Sequence, residues 1–339
     1  MDADLSELLE SNVSSATNAA YGVKKDDYSR LVAFGNVTSF SMEQVLHACA
    51  RKFQLLKLRA AEDIEGNERE SNATFAFGHA VGAGVACFDE TRDLKQAIFA
   101  AFLAWNIDLF EEQERKPNRP DPKKSFHHAV WALYLYKEFY ENETDLRDYD
   151  VVKLEASLVV DFENGYWYVG HIDEQLKHRE TGQFKVKENK TTVYNTVDPA
   201  LYSNSDQALS YALVMDSVGA SEYDVLYAIY SSTDQRWISM EFTKSALQKA
   251  EWLQDHTMIH SDIQMYSDAN FFPKRGRSCI EFGRRCEHYE TCDYNADKVY
   301  GQQFRELEKV SSFEQLEEIK PFDYKFTWSE IVATQKGKL

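Results

Sequence analysis

The chain has 339 residues, 43% of them hydrophobic and 14% aromatic, with a formal net charge of −18. This is material for one large core or two small ones, and the acidic excess argues against a protein that coats DNA through many cationic contacts. The longest apolar runs, 80–87 and 97–105, fall well short of a bilayer span, and the N-terminus shows no basic segment followed by an apolar one, so a cytoplasmic protein with no membrane partner is expected.

Residues 1–40 read as an N-terminal arm, polar and weakly patterned over 1–30. Ser41 with Gln44 forms a capping-box pattern that predicts a helix over 42–61. Helical periodicity continues through 73–87 and 92–112, and a basic, proline-bearing break at 114–124 precedes another predicted helix at 125–142. This helical region, 41–150, carries Cys49 and His79. From 151 the period switches to two: 151–162, the turn Glu163-Asn164-Gly165 and 166–173 predict a β-hairpin. A third strand follows at 184–192, a helix at 205–219, strands at 223–232 and 236–243, and a helix at 245–263. The mixed sheet with its inserted helix occupies 151–270. A cysteine-bearing segment and tail fill 271–339, with 271–295 expected to close on the helical region.

Asp173 is expected at the end of one strand, and Glu188 and Lys190 at the end of the next. Alternation points Glu188 and Lys190 the same way and Asn189 the other. Two carboxylates and an ammonium at one sheet edge suit a divalent metal ion and a water that attacks a phosphodiester. Taken alone, the pattern reads as well as a cross-strand salt bridge, so its neighbours decide. Upstream, His79 could offer an imidazole to a metal. Downstream, Gln207 and Tyr211 lie four apart on the 205–219 helix and share a face. Five cysteines without an export signal argue against a disulfide framework. Cys279, Cys286 and Cys292 cluster, and with the distant Cys49 they form a thiolate set suited to zinc or to an iron–sulfur cluster. Cys87 reads as a buried apolar thiol. Lys274, Arg275, Arg277, Arg284 and Arg285 surround the clustered cysteines as candidate phosphate contacts, and the 115–124 stretch adds further basic residues. Phe271, Phe272 and Tyr289 are candidates for stacking on bases.

The order Cys49, Gly78-His79, Asp173, Glu188-Asn189-Lys190, Gln207 with Tyr211, then three cysteines resembles the RecB-like branch of the PD-(D/E)xK nucleases. It resembles most the iron–sulfur exonucleases of that branch: CRISPR-associated RecB-like enzymes, the AddB type and phage exonucleases of DNA recombination and repair. The resemblance covers about 40–295. It implies an α/β fold with a restriction-endonuclease-like core, a central mixed β-sheet flanked by helices, joined to an α-helical N-terminal part and a C-terminal cysteine-cluster segment. It also implies a metal-dependent exonuclease on single-stranded or end-bearing DNA. His79, Asp173, Glu188 and the Asn189 carbonyl would hold Mg²⁺ or Mn²⁺, with Lys190 assisting the attacking water. Gln207 and Tyr211, with Arg275 and Arg277, would meet the substrate. Cys49, Cys279, Cys286 and Cys292 would hold a [4Fe-4S] cluster, or zinc in its place. The resemblance leaves room for a recombination or replication partner protein. A non-catalytic nucleic-acid-binding or assembly protein on the same fold is the alternative. Two departures stand out: six residues separate Cys279 from Cys286, with Gly283 where the family spacing places a cysteine, and Ala50 replaces the proline that usually follows the first cysteine.

Overall fold

The computed structural model describes residues 30–64, 73–115, 122–220, 223–281, 284–292 and 306–337. Residues 1–29 of the expected arm, 116–121 of the basic break and Gly283 lie outside the described residues. In chain order the first elements are β1 (Val37–Thr38), α1 (Phe40–Ala48), α2 (Ala50–Ile64), α3 (Ala73–Thr91), α4 (Leu94–Arg115) and α5 (Phe126–Asn142). Then come β2 (Tyr149–Asp161), β3 (Trp167–His178), β4 (Phe184–Thr192), α6 (Ala200–Ser203), α7 (Asp206–Ser217), β5 (Tyr223–Ser231), β6 (Arg236–Phe242) and α8 (Ala246–Asp268). The chain continues through β7 (Ile280–Glu281), β8 (Arg284–Arg285), α9 (Tyr289–Cys292), α10 (Phe313–Ile319), β9 (Tyr324–Thr327) and α11 (Trp328–Lys336).

The central sheet is mixed, with strand order β6-β5-β4-β3-β2-β9 and β1 added alongside β3. Pairing is antiparallel for β3 with β4 and for β5 with β6, and parallel for β4 with β5, β2 with β9 and β1 with β3. The α/β architecture expected from the sequence, a mixed sheet flanked by helices with a helical N-terminal part, is the architecture observed. The chain divides into two compact units, each built from non-consecutive stretches: the described residues of 69–156 and 171–244, and those of 24–68, 157–170 and 245–339.

In the first unit, β5 is buried along nearly its whole length, and its run of apolar residues fits a strand covered on both faces. One face, through Leu226, Ala228 and Tyr230, joins the core formed by α3, α4 and α5. The small residues of α3 let it lie close to its neighbours. A methyl group on Gly84 would stand 2.6 Å from Leu133 Cδ1, so glycine there sets the α3–α5 approach. The opposite face carries α7, where Tyr223 donates to the Ala212 carbonyl at 3.0 Å.

In the second unit the helix expected to start at Ser41 differs in two respects. The N-cap is Ser39, in extended conformation and accepting from Met42 N, and Ser41 lies inside the first turn. The helix also breaks at Cys49, whose extended backbone separates α1 from α2. The interruption leaves the Ala48 carbonyl to accept from Ser278 Oγ at 2.6 Å. The turn between β2 and β3 forms at the expected residues, with Asp161 Oδ1 accepting from Glu163 N at 2.7 Å and Gly165 at φ 82°. Strand β9 and helices α10 and α11 have no counterpart in the expected elements.

His260 of α8 is a buried imidazole in this unit, stacked 5.1 Å from the Tyr166 ring, with Phe162 edge-on at 4.1 Å. Both ring nitrogens are buried without a hydrogen-bond partner. Burial, reinforced by His256, lowers its pKa to about 3. Between that value and the ordinary histidine pKa the unfolded chain binds a proton that the folded chain does not, so stability falls as pH falls through this window and is unaffected above it. The expected slope from this residue is at most about 1.4 kcal/mol per pH unit. Urea unfolding at about pH 7 and about pH 4 should show the loss, and His260→Phe should reduce it.

Candidate functional site

Strands β3 and β4 place the acidic and basic side chains by pleat alone. The ladder pairs Glu174 with Lys187, and one step further puts Asp173 across from Glu188. Asp173 is not at a strand end as expected: β3 runs on to His178 because 174–177 pair with 184–187. Alternation sends Asp173, Glu188 and Lys190 to the face that carries α7 and sends Glu174, Lys187 and Asn189 to the face that carries α3.

On the α7 face, Glu188 is 2% exposed and both its oxygens are held. Oε1 accepts from Lys190 Nζ at 2.5 Å and from Gln207 Nε2 at 2.9 Å, while Oε2 accepts from Tyr211 OH at 3.1 Å. Gln207 Oε1 accepts in turn from Lys190 Nζ at 2.9 Å, and Gln207 Nε2 lies 2.6 Å from Tyr211 OH. The shared helix face expected of Gln207 and Tyr211 is thus turned onto Glu188 and Lys190. Asn189 contributes its backbone N–H, which donates to Asp173 Oδ2 at 2.9 Å. Burial, with Glu188 and Glu155 nearby, holds the Asp173 carboxyl well above the usual carboxylate range, against the opposing pull of Lys190 and the Asn189 N–H. Burial alone would lower the Lys190 pKa, but Glu188 and Asp173 overcome it and raise it.

Glu155, half-buried on β2, was not singled out in the sequence. Its φ is +48°, an uncommon conformation for a residue with a side chain. A left-handed residue inside a strand disturbs its alternation, so a period-two reading of 151–162 does not predict which way this carboxylate turns. His79 is exposed on α3, one residue from Gly78, where a methyl group would stand 3.7 Å from Thr191 Oγ1. Among the described residues, no three His, Cys, Asp or Glu side chains are gathered as a set of metal ligands. The donor chemistry nonetheless fits a hard divalent cation: Asp173 and Glu188, with Glu155 close enough to raise the Asp173 pKa alongside burial, supply carboxylate oxygens.

Behind this face lies a charge network that the sequence reading missed. Lys187 is fully buried and donates to Asp89 Oδ2 at 2.5 Å and to Glu174 Oε1 at 2.6 Å. Asn189 Nδ2 donates to the same Glu174 oxygen at 2.7 Å, and Tyr136 OH donates to Asp89 Oδ2 at 2.7 Å. Burial pushes Glu174 up to about 8 in spite of Lys187.

Cys49, Cys279, Cys286 and Cys292 lie in the second unit, and Cys87 in the first. Cys49 is buried, and Cys279, Cys286 and Cys292 are partly exposed. The β7–β8 ribbon pairs Ile280 with Arg285, so Cys279 and Cys286 face each other one step beyond, with Cys286 N donating to Cys279 O at 2.9 Å. The ribbon thus brings the backbones of Cys279 and Cys286 opposite each other. Burial raises the Cys292 pKa, with Lys274 and Arg51 opposing and Cys49 and Cys279 adding to it. Arg51 is 2% exposed; its Nε donates to the Phe272 carbonyl at 2.8 Å, and its buried Nη2 has no hydrogen-bond partner. Lys274, Arg275 and Arg277 are exposed. Phe272 is not available for stacking on a base as expected: it is 2% exposed and packs near Phe53, with ring centroids 6.2 Å apart.

A mixed sheet presenting acids and a lysine from adjacent strands defines a class, and comparison with known proteins agrees. The chain belongs to the PD-(D/E)XK nuclease superfamily, whose family model matches residues 37–293, about three quarters of the chain. Among solved structures, a provisionally named exonuclease from Eubacterium rectale is similar at 12% identity and a TM-score of 0.47, covering 87% of this chain and 97% of its own. The structure of SSO0001 is similar at 14% identity and a TM-score of 0.28, covering 63% of this chain and 85% of its own. No curated protein matches this chain. No helix among the described residues is long and apolar enough to cross a membrane.

Lys187→Met should lower the unfolding free energy by about 3–5 kcal/mol, because it leaves the buried Glu174 without its cation and leaves Asp89 with Arg92 alone, 3.4 Å away. Denaturant unfolding measures the loss. Adding Asp89→Asn and Glu174→Gln to Lys187→Met should recover most of it, since no fully buried charge then remains and Arg92, which loses Asp89, is partly exposed.

Proposed function

We propose that this chain is a divalent-metal-dependent deoxyribonuclease of the RecB-like type, acting on single-stranded or end-bearing DNA. The observation that supports it is the convergence of Asp173, Glu188 and Lys190 on one sheet face, with Gln207 and Tyr211 fixing Glu188 from the adjoining helix. Asp173 and Glu188, with Glu155 beside them and His79 and the Asn189 carbonyl by family resemblance, would hold Mg²⁺ or Mn²⁺. Such a cation supplies Lewis-acid polarisation of the phosphate and lowers the pKa of a bound water. The chain's own residues set the geometry. The Asn189 N–H holds Asp173, and Gln207 and Tyr211 hold Glu188, so neither carboxylate must reorganise when substrate arrives. Lys190 brings a positive charge and hydrogen-bond donors to the same spot, where they can orient water and stabilise charge developing on the phosphate.

The cysteines belong to the same proposal. Cys49, Cys279, Cys286 and Cys292 would hold a [4Fe-4S] cluster, with zinc as the alternative. The support is the β7–β8 ribbon, which sets the backbones of Cys279 and Cys286 opposite each other, and the buried Arg51 two residues from Cys49, while no three of these thiols are gathered as a ligand set among the described residues. A site of this kind would tie α1 to the 276–292 segment, so ligation would contribute directly to folding.

Purified protein with Mg²⁺ or Mn²⁺ should degrade single-stranded, duplex or tailed DNA. Asp173→Asn and Glu188→Gln should abolish this, and Lys190→Ala should slow it about 100- to 1,000-fold. No cleavage of any of these substrates with either metal would leave the non-catalytic binding protein as the better reading.

Iron and sulfide analysis of anaerobically purified protein should find a cluster that is lost on Cys49→Ser and retained on Cys87→Ser. Cys87 is fully buried in α3, where burial pushes its thiol up to about 11. Zinc in place of iron would keep the clasp and overturn the cluster.

A further inference from the structure

The α7 face of the sheet is also met by an element that the proposed chemistry does not use. The β4–β5 ladder pairs Glu188 with Tyr227. Leu226 and Ala228 turn into the core beneath α3, so Tyr227 between them points to the α7 face, beside Glu188. Tyr227 is 1% exposed, and the Tyr202 ring lies against it, with centroids 4.8 Å apart and planes at 58°. Tyr202 belongs to α6, five positions before Gln207.

The backbone of α6 is fixed. Tyr202 N donates to the Pro199 carbonyl at 3.1 Å, and the Tyr202 carbonyl accepts from Ser205 N at 3.2 Å. The buried Lys244 adds its ammonium, which donates to the carbonyls of Tyr202 at 3.2 Å and Ser203 at 2.5 Å. None of these contacts uses the Tyr202 hydroxyl, and the side chain is only partly buried. Burial still raises the Tyr202 pKa, against the pull of the nearby Lys190. At neutral pH the phenol therefore keeps its proton and is a hydrogen-bond donor. Burial likewise raises the Tyr227 pKa, and Glu188, Lys190 and Tyr202 all act on it, which puts this ring pair beside the carboxylate–lysine cluster.

Lys190 has little donor capacity to spare. Of its three ammonium protons, Glu188 and Gln207 take two. A phosphate under attack gathers charge on more than one non-bridging oxygen, so a second donor has work to do there. We infer that Tyr202 is a further catalytic residue of the proposed reaction, its hydroxyl donating a hydrogen bond to a non-bridging oxygen of the phosphate that Lys190 meets. This rests on the nuclease reading and adds to it a neutral donor held by a separate element. A donor fixed in advance against a buried ring costs no reorganisation at the moment of reaction, and its bond strengthens as the oxygen gains charge. The phenol keeps its proton throughout: it stabilises charge and transfers nothing.

The test is cleavage of a fluorescein-labelled single strand of about 20 nucleotides, with Mg²⁺ or Mn²⁺, by the wild type and by Tyr202→Phe. The substitution keeps the ring on Tyr227 and removes the hydroxyl alone. It should lower kcat about 10- to 100-fold and leave KM nearly unchanged, the pattern of a bond made in the transition state. The rise in melting temperature on adding metal should be the same in both proteins, because the carboxylates are untouched. Cleavage by Tyr202→Phe at the wild-type rate would overturn the inference and leave the nuclease reading standing. A lower kcat accompanied by loss of the metal-induced rise would also overturn it, since the hydroxyl would then act through the carboxylates. No metal-dependent cleavage by the wild type would remove the nuclease reading itself, and the inference with it.

Discussion

The pleat of two adjacent strands is the constraint on which the rest of this unit depends. Over Asp173-Glu174 and Lys187–Lys190, successive charged side chains go to opposite faces of the sheet. One face receives Asp173, Glu188 and Lys190 and is met by Gln207 and Tyr211. The other receives Glu174, Lys187 and Asn189 and is met by Asp89 and Tyr136. A register slip of one residue would exchange the two sets. The candidate site would then face the helical layer, and the buried network would lose its partners.

Buried ion pairs are weak contributors to stability, but breaking one is costly. Lys187 between two buried carboxylates therefore specifies register more than it adds stability. Asn189 belongs to both faces: its side chain donates to Glu174 and its backbone N–H donates to Asp173. The position of Asp173 is thus tied to a network across the sheet. At the front, burial first and then the neighbouring Glu188 and Glu155 make Asp173 resist ionisation.

Much of this was legible in the sequence, for physical reasons that also explain the gaps. The strand at 184–192 and the helix face shared by Gln207 and Tyr211 follow from periods of two and of about 3.6, which local residues determine. Glu174 and Lys187 look like ordinary strand charges until the register places them opposite each other and Asp89 arrives from α3. Glu155 needs an unusual backbone angle to be placed, and nothing in its neighbours announces that angle. Ser39 and Ser41 are both competent caps, and the choice between them depends on where the extended chain of β1 ends. The four-residue β9 pairs with β2, more than 160 positions away, and local pattern carries no signal for such a partner.

The central claim is that the face bearing Asp173 and Glu188 is a divalent-cation site. Thermal unfolding of the wild type with and without Mg²⁺ or Mn²⁺ tests it most directly. At a concentration about a hundredfold above Kd, binding to the folded state should add about 2.7 kcal/mol and raise the midpoint. Asp173→Asn and Glu188→Gln should fold but lose that rise. An unchanged midpoint in the wild type, or an equal rise in both variants, would contradict the account.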